Sequence, residues 1–140
     1  MKPIHSRTVS IFLAAAVAGL VSGVVWAADT IKLTGDQEVP AVTTSATGTA
    51  VITVKPDKSV AGTVTTKGID GIAAHIHLAS SGKNGPPIIP LAKTSDSEWS
   101  VPEGSKLTDE QYASYKAGDL YVNVHSAEHK GGEIRGQLKP

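Results

Sequence analysis

Short runs in which hydrophobic and polar residues alternate recur along most of the chain after residue 27. The clearest run is 72–78 (IAAHIHL), where His75 and His77 alternate with apolar residues. A second run, 120–125 (LYVNVH), alternates in the same way and ends on His125. Since successive side chains of a β-strand point to opposite faces, each run predicts a strand with one apolar face and one polar face.

Turn-forming residues separate six further segments that have the length and composition of short strands. Two of them flank a turn at 56–59 and predict a hairpin, and the His125 strand is expected to form another hairpin with the last segment. The six segments are 30–33, 46–55, 60–67, 88–92, 98–101 and 133–138.

One helix is predicted late in the chain. Thr108 and Gln111 have the spacing of a capping box, and Gly118 is typical of a helix C-terminus, so the helix should run to about Lys116. The whole pattern predicts an all-β fold, an antiparallel, Greek-key-like β-sandwich of about seven to eight strands with one short helix.

The first 27 residues have the organisation of a secretory signal peptide. Lys2 and Arg7 give a positive start, an apolar run covers 11–25, and small residues precede the expected cleavage site after Ala27, with Ala28 as the alternative. We therefore expect 1–27 to be removed and 28–140 to form a periplasmic or secreted domain. No cysteine follows the apolar run, so no membrane anchor is expected after cleavage.

The composition of the expected mature domain limits the partners and ligands that it is able to bind. It has 11 basic and 13 acidic residues, a balance that predicts no binding to nucleic acid. The chain has no cysteine, and its one methionine is Met1, so the mature domain offers neither a disulfide framework nor sulfur ligands.

The polar faces of three predicted strands carry residues that suit a metal site. Adjacent strands lie about 5 Å apart, so His75, His77 and His125 are able to converge if their strands pair. Imidazole is the commonest metal ligand, and without sulfur ligands the three histidines predict a Cu(II) or Zn(II) site. The other reading is that these side chains only form hydrogen bonds along a polar sheet face.

Four more residues have candidate roles around this site. His129 lies in a loop beside Lys130, where it is either an additional ligand or a solvated surface residue. Asn123, Glu133 and Arg135 follow the same phase and are candidates to orient the imidazoles, or Glu133 and Arg135 form a structural ion pair.

Three classes of function fit these observations. The first is a metal-binding protein that holds Cu(II) or Zn(II) through the three histidines. The second is a non-catalytic structural or interaction module, whose polar face packs against a protein partner or against the chain's own 37–40 segment (QEVP). The third is an enzyme that uses an open position on the metal. The pattern favours binding over catalysis, because no serine- or cysteine-type nucleophile with its base is evident.

Several motifs resemble the CHRD domain, which is named after chordin. They occur in the expected order between about 31 and 138, and the resemblance implies a secreted β-sandwich. The motifs are 37–40 (QEVP), 74–77 (AHIH), 82–85 (GKNG), 117–125 (AGDLYVNVH) and 132–137 (GEIRGQ).

The His-x-His strand, the later histidine and the Gly-Glu-x-Arg-Gly strand also resemble, more distantly, the copper-binding strands of copper/zinc superoxide dismutase. The expected mature chain has only four histidines and no cysteine. A bridged copper–zinc pair of that kind needs six imidazoles and an aspartate, so the resemblance does not extend to dismutase chemistry.

Overall fold

The computed structural model describes residues 28–140, and the predicted signal peptide lies outside the described residues. This part of the chain forms nine β-strands, a short 3-10 segment (Gly35–Gln37) and one α-helix, α1 (Asp109–Lys116). The strands are β1 (Asp29–Thr34), β2 (Thr47–Val54), β3 (Val60–Lys67), β4 (Gly71–Leu78), β5 (Pro87–Pro90), β6 (Ala92–Ser95), β7 (Glu98–Ser100), β8 (Leu120–Ser126) and β9 (Ile134–Gln137).

All nine strands of the described domain pair antiparallel in one sheet, in the order β5-β4-β8-β9-β1-β2-β3-β7-β6. The two ends of the sheet approach each other. Lys93 of β6 donates through Nζ to the carbonyl oxygen of Gly71 in β4 at 2.8 Å. Trp99 of β7 also lies so close to Gly71 that a Cβ there would be 3.2 Å from its ring. The sheet is therefore nearly closed into a barrel.

The prediction of an antiparallel all-β fold with one short helix is confirmed, and so are both predicted hairpins, β2–β3 and β8–β9. One strand, β6, was not predicted. Its residues are all exposed and show no apolar alternation, so no hydrophobic pattern marks it as a strand. The predicted strand 88–92 instead ends at Pro90, and the buried Leu91 separates β5 from β6 while its N–H bonds to the carbonyl of Ala74.

Helix α1 begins as predicted. The backbone N–H of Gln111 donates to Oγ1 of Thr108 at 3.2 Å, and the N–H of Thr108 donates to Oε1 of Gln111 at 2.9 Å. These two bonds satisfy donors that a helix start otherwise leaves unpaired. On the same helix Tyr112 and Tyr115 pack against the hydrophobic core.

The two histidine strands, β4 and β8, direct their apolar residues into a single core and their polar residues to the outside of the sheet. Ile76 and Val122 pair across the strands and are almost completely buried. The polar face of β8 is buried as well, since every residue of that strand is buried. Two loops, 79–86 and 127–133, form the hydrogen bonds that cover this outer face.

Candidate metal centre

Strand pairing determines which polar side chains meet on the outer face. In the β4–β8 register Ala73 is opposite His125, His75 is opposite Asn123, and His77 is opposite Tyr121. Diagonal neighbours on one face of an antiparallel pair are within reach of long side chains. Since Ala73 is small, His125 has room to lean towards His75.

The imidazoles of His75, His77 and His125 converge. Each offers one ring nitrogen, and these nitrogens lie within 4.8 Å of one another. Nδ1 of His75 is 3.0 Å from Nε2 of His125. Nitrogens that lie 2.0–2.1 Å from a tetrahedral ion are about 3.4 Å apart, so the spacing of the three imidazoles is compatible with a metal site.

The loops fix the proton position on two of these rings. Nδ1 of His77 lies 2.9 Å from the carbonyl oxygen of Gly85, and Nδ1 of His125 lies 2.8 Å from that of Lys130. A carbonyl oxygen only accepts, so each Nδ1 carries the proton and each Nε2 has a free lone pair. Nε2 is thus the nitrogen that either ring is able to offer to an ion.

The free nitrogens differ in their surroundings. Nε2 of His125 accepts from Nδ1–H of His75. Nε2 of His77 is buried and has no hydrogen-bond partner in the described part of the chain. Buried polar atoms nearly always have a partner, so this nitrogen is exceptional, as is Oδ1 of Asn123 on the same outer face.

Burial also sets the protonation of the rings. Desolvation, reinforced by the nearby His125, lowers the pKa of His75 below its ordinary value. Desolvation likewise lowers the pKa of His77, although the bond to the Gly85 carbonyl opposes it. Both rings are therefore neutral at pH 7, the form that binds metal ions.

A buried ion pair lies beside the histidines. Nε of Arg135 is 3.1 Å from Oε2 of Glu38, and both side chains are nearly inaccessible. Burial raises the pKa of Glu38, while Arg135 and a bond from Asn123 counteract that rise. The guanidinium carbon of Arg135 lies 3.7 Å from the centre of the Tyr121 ring.

The other predicted site residues lie outside the histidine cluster and bond to different partners. His129 is not part of the cluster that the three histidines form in the described domain. Asn123 bonds to Glu38 and to the carbonyl of Gly131. The predicted ion pair between Glu133 and Arg135 is wrong. Arg135 pairs with Glu38, because the segment after β1 carries that residue over β9, and Glu133 accepts from the hydroxyl of Thr44.

Neither Glu38 nor Tyr121 was predicted to be a site residue. Glu38 stands in the 37–40 segment, and the expectation that this segment packs on the polar face agrees with the Glu38–Arg135 bond. Tyr121 alternates in phase with Asn123 and His125 in the run 120–125, and this pattern indicates that it lies on the same face as they do. The loop carbonyls of Gly85 and Lys130 are backbone groups, so no side-chain pattern in the sequence predicts their contacts with the imidazoles.

The fold and the site together define an antiparallel β domain with a covered cluster of three histidines on its outer face. The CHRD domain family matches residues 30–138, and the chain belongs to that family. CHRD domains occur in secreted proteins. Comparison with curated proteins finds no match, and comparison with solved structures finds none either. Within 28–140, no helix is both long and apolar enough to cross a membrane.

Proposed function

We propose that this protein is an exported metal-binding protein that holds one Cu(II) or Zn(II) ion. The ligands are Nδ1 of His75, Nε2 of His77 and Nε2 of His125. The unpartnered Nε2 of His77, buried within a cluster of convergent imidazoles, is the observation that carries this proposal.

A polar face with only structural hydrogen bonds accounts less well for this arrangement. Burying a polar atom without a partner costs free energy, and such a face would be expected to satisfy the nitrogen of His77. An ion removes that cost. The Nδ1 atoms of His77 and His125 bond to backbone carbonyls, and such bonds commonly orient metal-bound histidines.

The donor set supports the choice of metal. Three imidazole ligands suit Cu(II) and Zn(II), whereas hard cations such as Mg²⁺ and Ca²⁺ prefer oxygen ligands. With three protein ligands the ion keeps an open position for water or another small ligand. Binding of the ion is the function proposed. The 1–27 segment and the membership of the CHRD family support export to the periplasm or the cell exterior.

The test is metal analysis of the protein purified from its native compartment, followed by titration of the metal-free protein with Cu(II) and Zn(II). We expect one equivalent of one of these metals and saturable binding at a single site. His77→Ala should abolish that binding. His129→Ala is the matched control, because it removes a histidine outside the cluster, and it should bind as the wild type does. A wild-type protein that binds neither metal would overturn the proposal.

A further inference from the structure

The two carbonyls that fix the imidazoles belong to loops, so their positions depend on what holds those loops. Gly85 lies in the 79–86 loop between β4 and β5, and Lys130 lies in the 127–133 loop between β8 and β9. Loops are more mobile than the strands that they connect. Unless each loop is fixed, its carbonyl is a poor partner for the ring.

Arg135 fixes the 79–86 loop. Its Nη1 donates to the carbonyl oxygen of Lys83 at 2.9 Å, and its Nη2 donates to Oδ1 of Asn84. Asn84 in turn donates from Nδ2 to the carbonyl oxygen of Val39 at 2.7 Å. The guanidinium thus binds both of the residues that directly precede Gly85.

Asn123 fixes the 127–133 loop. Its Nδ2 lies 3.4 Å from the carbonyl oxygen of Gly131, next to Lys130. The backbone of this loop also lies directly against Glu38. A Cβ on Gly132 would be 2.4 Å from Oε1 of Glu38 and 2.5 Å from Nδ2 of Asn123. Only glycine, which has no Cβ, allows the loop so close.

Glu38 bonds to both Arg135, which holds the 79–86 loop, and Asn123, which holds the 127–133 loop. Its Oε2 accepts from Nε of Arg135 at 3.1 Å, and its Oε1 accepts from Nδ2 of Asn123 at 3.4 Å. One oxygen therefore faces the residue that holds the first loop, and the other faces the residue that holds the second. Glu38 also supplies the negative charge that buried Arg135 requires.

We propose that Glu38, through Arg135 and Asn123, is a positioning residue that holds the imidazoles of His77 and His125 with Nε2 free for a metal ion. Its importance for binding rests on the metal site proposed above. Its effect on the rings does not, because the hydrogen bonds that carry it join only groups of the protein itself.

The experiment uses two readouts on the full exported protein. The first is the imidazole ¹⁵N–¹H NMR spectrum without metal, which reports the protonated nitrogen of each histidine. The second is the affinity for Cu(II) and Zn(II), with the electron paramagnetic resonance spectrum of the Cu(II) form. We expect Nδ1–H rings for His77 and His125 in the wild type.

Glu38→Gln should mix Nε2–H forms into both rings, weaken metal binding about 10–100-fold and broaden the Cu(II) spectrum. Glu128→Gln is the matched control, since it removes the same charge from an exposed position in the 127–133 loop. It should change neither readout. A merely structural Glu38 would lower the melting temperature of the Gln variant and leave both readouts unchanged.

A second variant keeps the test decisive if Glu38→Gln does not fold. Asn84 is exposed, and its side chain bonds to Arg135 and to the carbonyl of Val39, so Asn84→Ala should disturb the ring of His77 and leave that of His125 unchanged. Ser81→Ala, at an exposed position in the same loop, is its control. Wild-type tautomers and affinity in a folded Glu38→Gln variant would overturn the proposal. If that variant does not fold, wild-type tautomers and affinity in Asn84→Ala would overturn it.

The two proposals fail differently. A wild-type protein with Nδ1–H rings that binds no metal would overturn the proposed function. The change of tautomer in Glu38→Gln would still establish that Glu38 positions the rings.

Discussion

The imidazole of His77 lies flat against the phenol ring of Tyr121, with 4.7 Å between the ring centroids and 6° between the planes. Arg135 packs against the same phenol ring at 3.7 Å. Since β4 and β9 flank β8 on opposite sides, the Tyr121 ring lies between the imidazole and the guanidinium. The aromatic ring therefore separates the proposed metal site from the protein's own buried cation.

We expect Tyr121→Phe and Tyr121→Leu to differ strongly in stability. Phenylalanine keeps both ring contacts and loses only the hydroxyl that accepts from the N–H of Gly85, a loss of about 1 kcal/mol. Leucine loses the stacking and leaves a gap beside Arg135, which should cost about 2–4 kcal/mol. Urea denaturation of the metal-free variants measures both values. Equal losses would show that the stacking contributes little.

Metal should stabilise the folded protein at pH 7.5. An ion that binds only the folded state adds about 2.7 kcal/mol at a hundredfold excess over Kd, which corresponds to a rise on the order of 10 °C in Tm. Protons compete for the imidazoles at lower pH, so the gain should fade towards pH 5. Thermal unfolding with and without Cu(II) or Zn(II) measures it, and a gain that does not change with pH would exclude histidine ligands.

His125→Ala should remove most of that metal-dependent gain, because the variant lacks one of three ligands. His129→Ala should keep most of it, since that residue lies outside the cluster. The same thermal measurement compares the two variants. Equal losses in both would show that the ligand set is misassigned.

The metal-free protein should lose stability as the pH falls below about 6.5. The pKa values of His75 and His77 are lowered in the folded state, so the unfolded chain takes up protons first as the pH decreases. Their contribution is complete above the unfolded pKa and is lost as the pH falls towards the lower folded values. Urea denaturation between pH 7.5 and 5 measures this slope. His77→Gln should show a smaller slope, and an unchanged slope would mean that His77 does not contribute.

Local pattern predicted most of the fold and the three clustered histidines. Alternation identified β4 and β8, and a capping box located α1, because these signals lie within a few residues of each other. The convergence of His75, His77 and His125 required only that the two strands pair.

The groups that hold the histidines in place were harder to predict from the sequence. Glu38 and Arg135 are 97 residues apart in the chain, and only the folded sheet brings them together. The carbonyls of Gly85 and Lys130 are backbone groups, which any residue type supplies. His129 shows the reverse problem, because it has the right side chain and is nevertheless not part of the cluster.

The hydrogen bond from His75 to His125 determines how the proposed site would exchange protons with its surroundings. An ion between those two nitrogens requires the proton on Nδ1 of His75 to move to Nε2 of the same ring. Since the rings of His75 and His77 are already neutral at pH 7.5, coordination by them relocates a proton and releases none to the solvent. Their share of the calorimetric heat of metal binding would then be the same in buffers of different ionisation enthalpy.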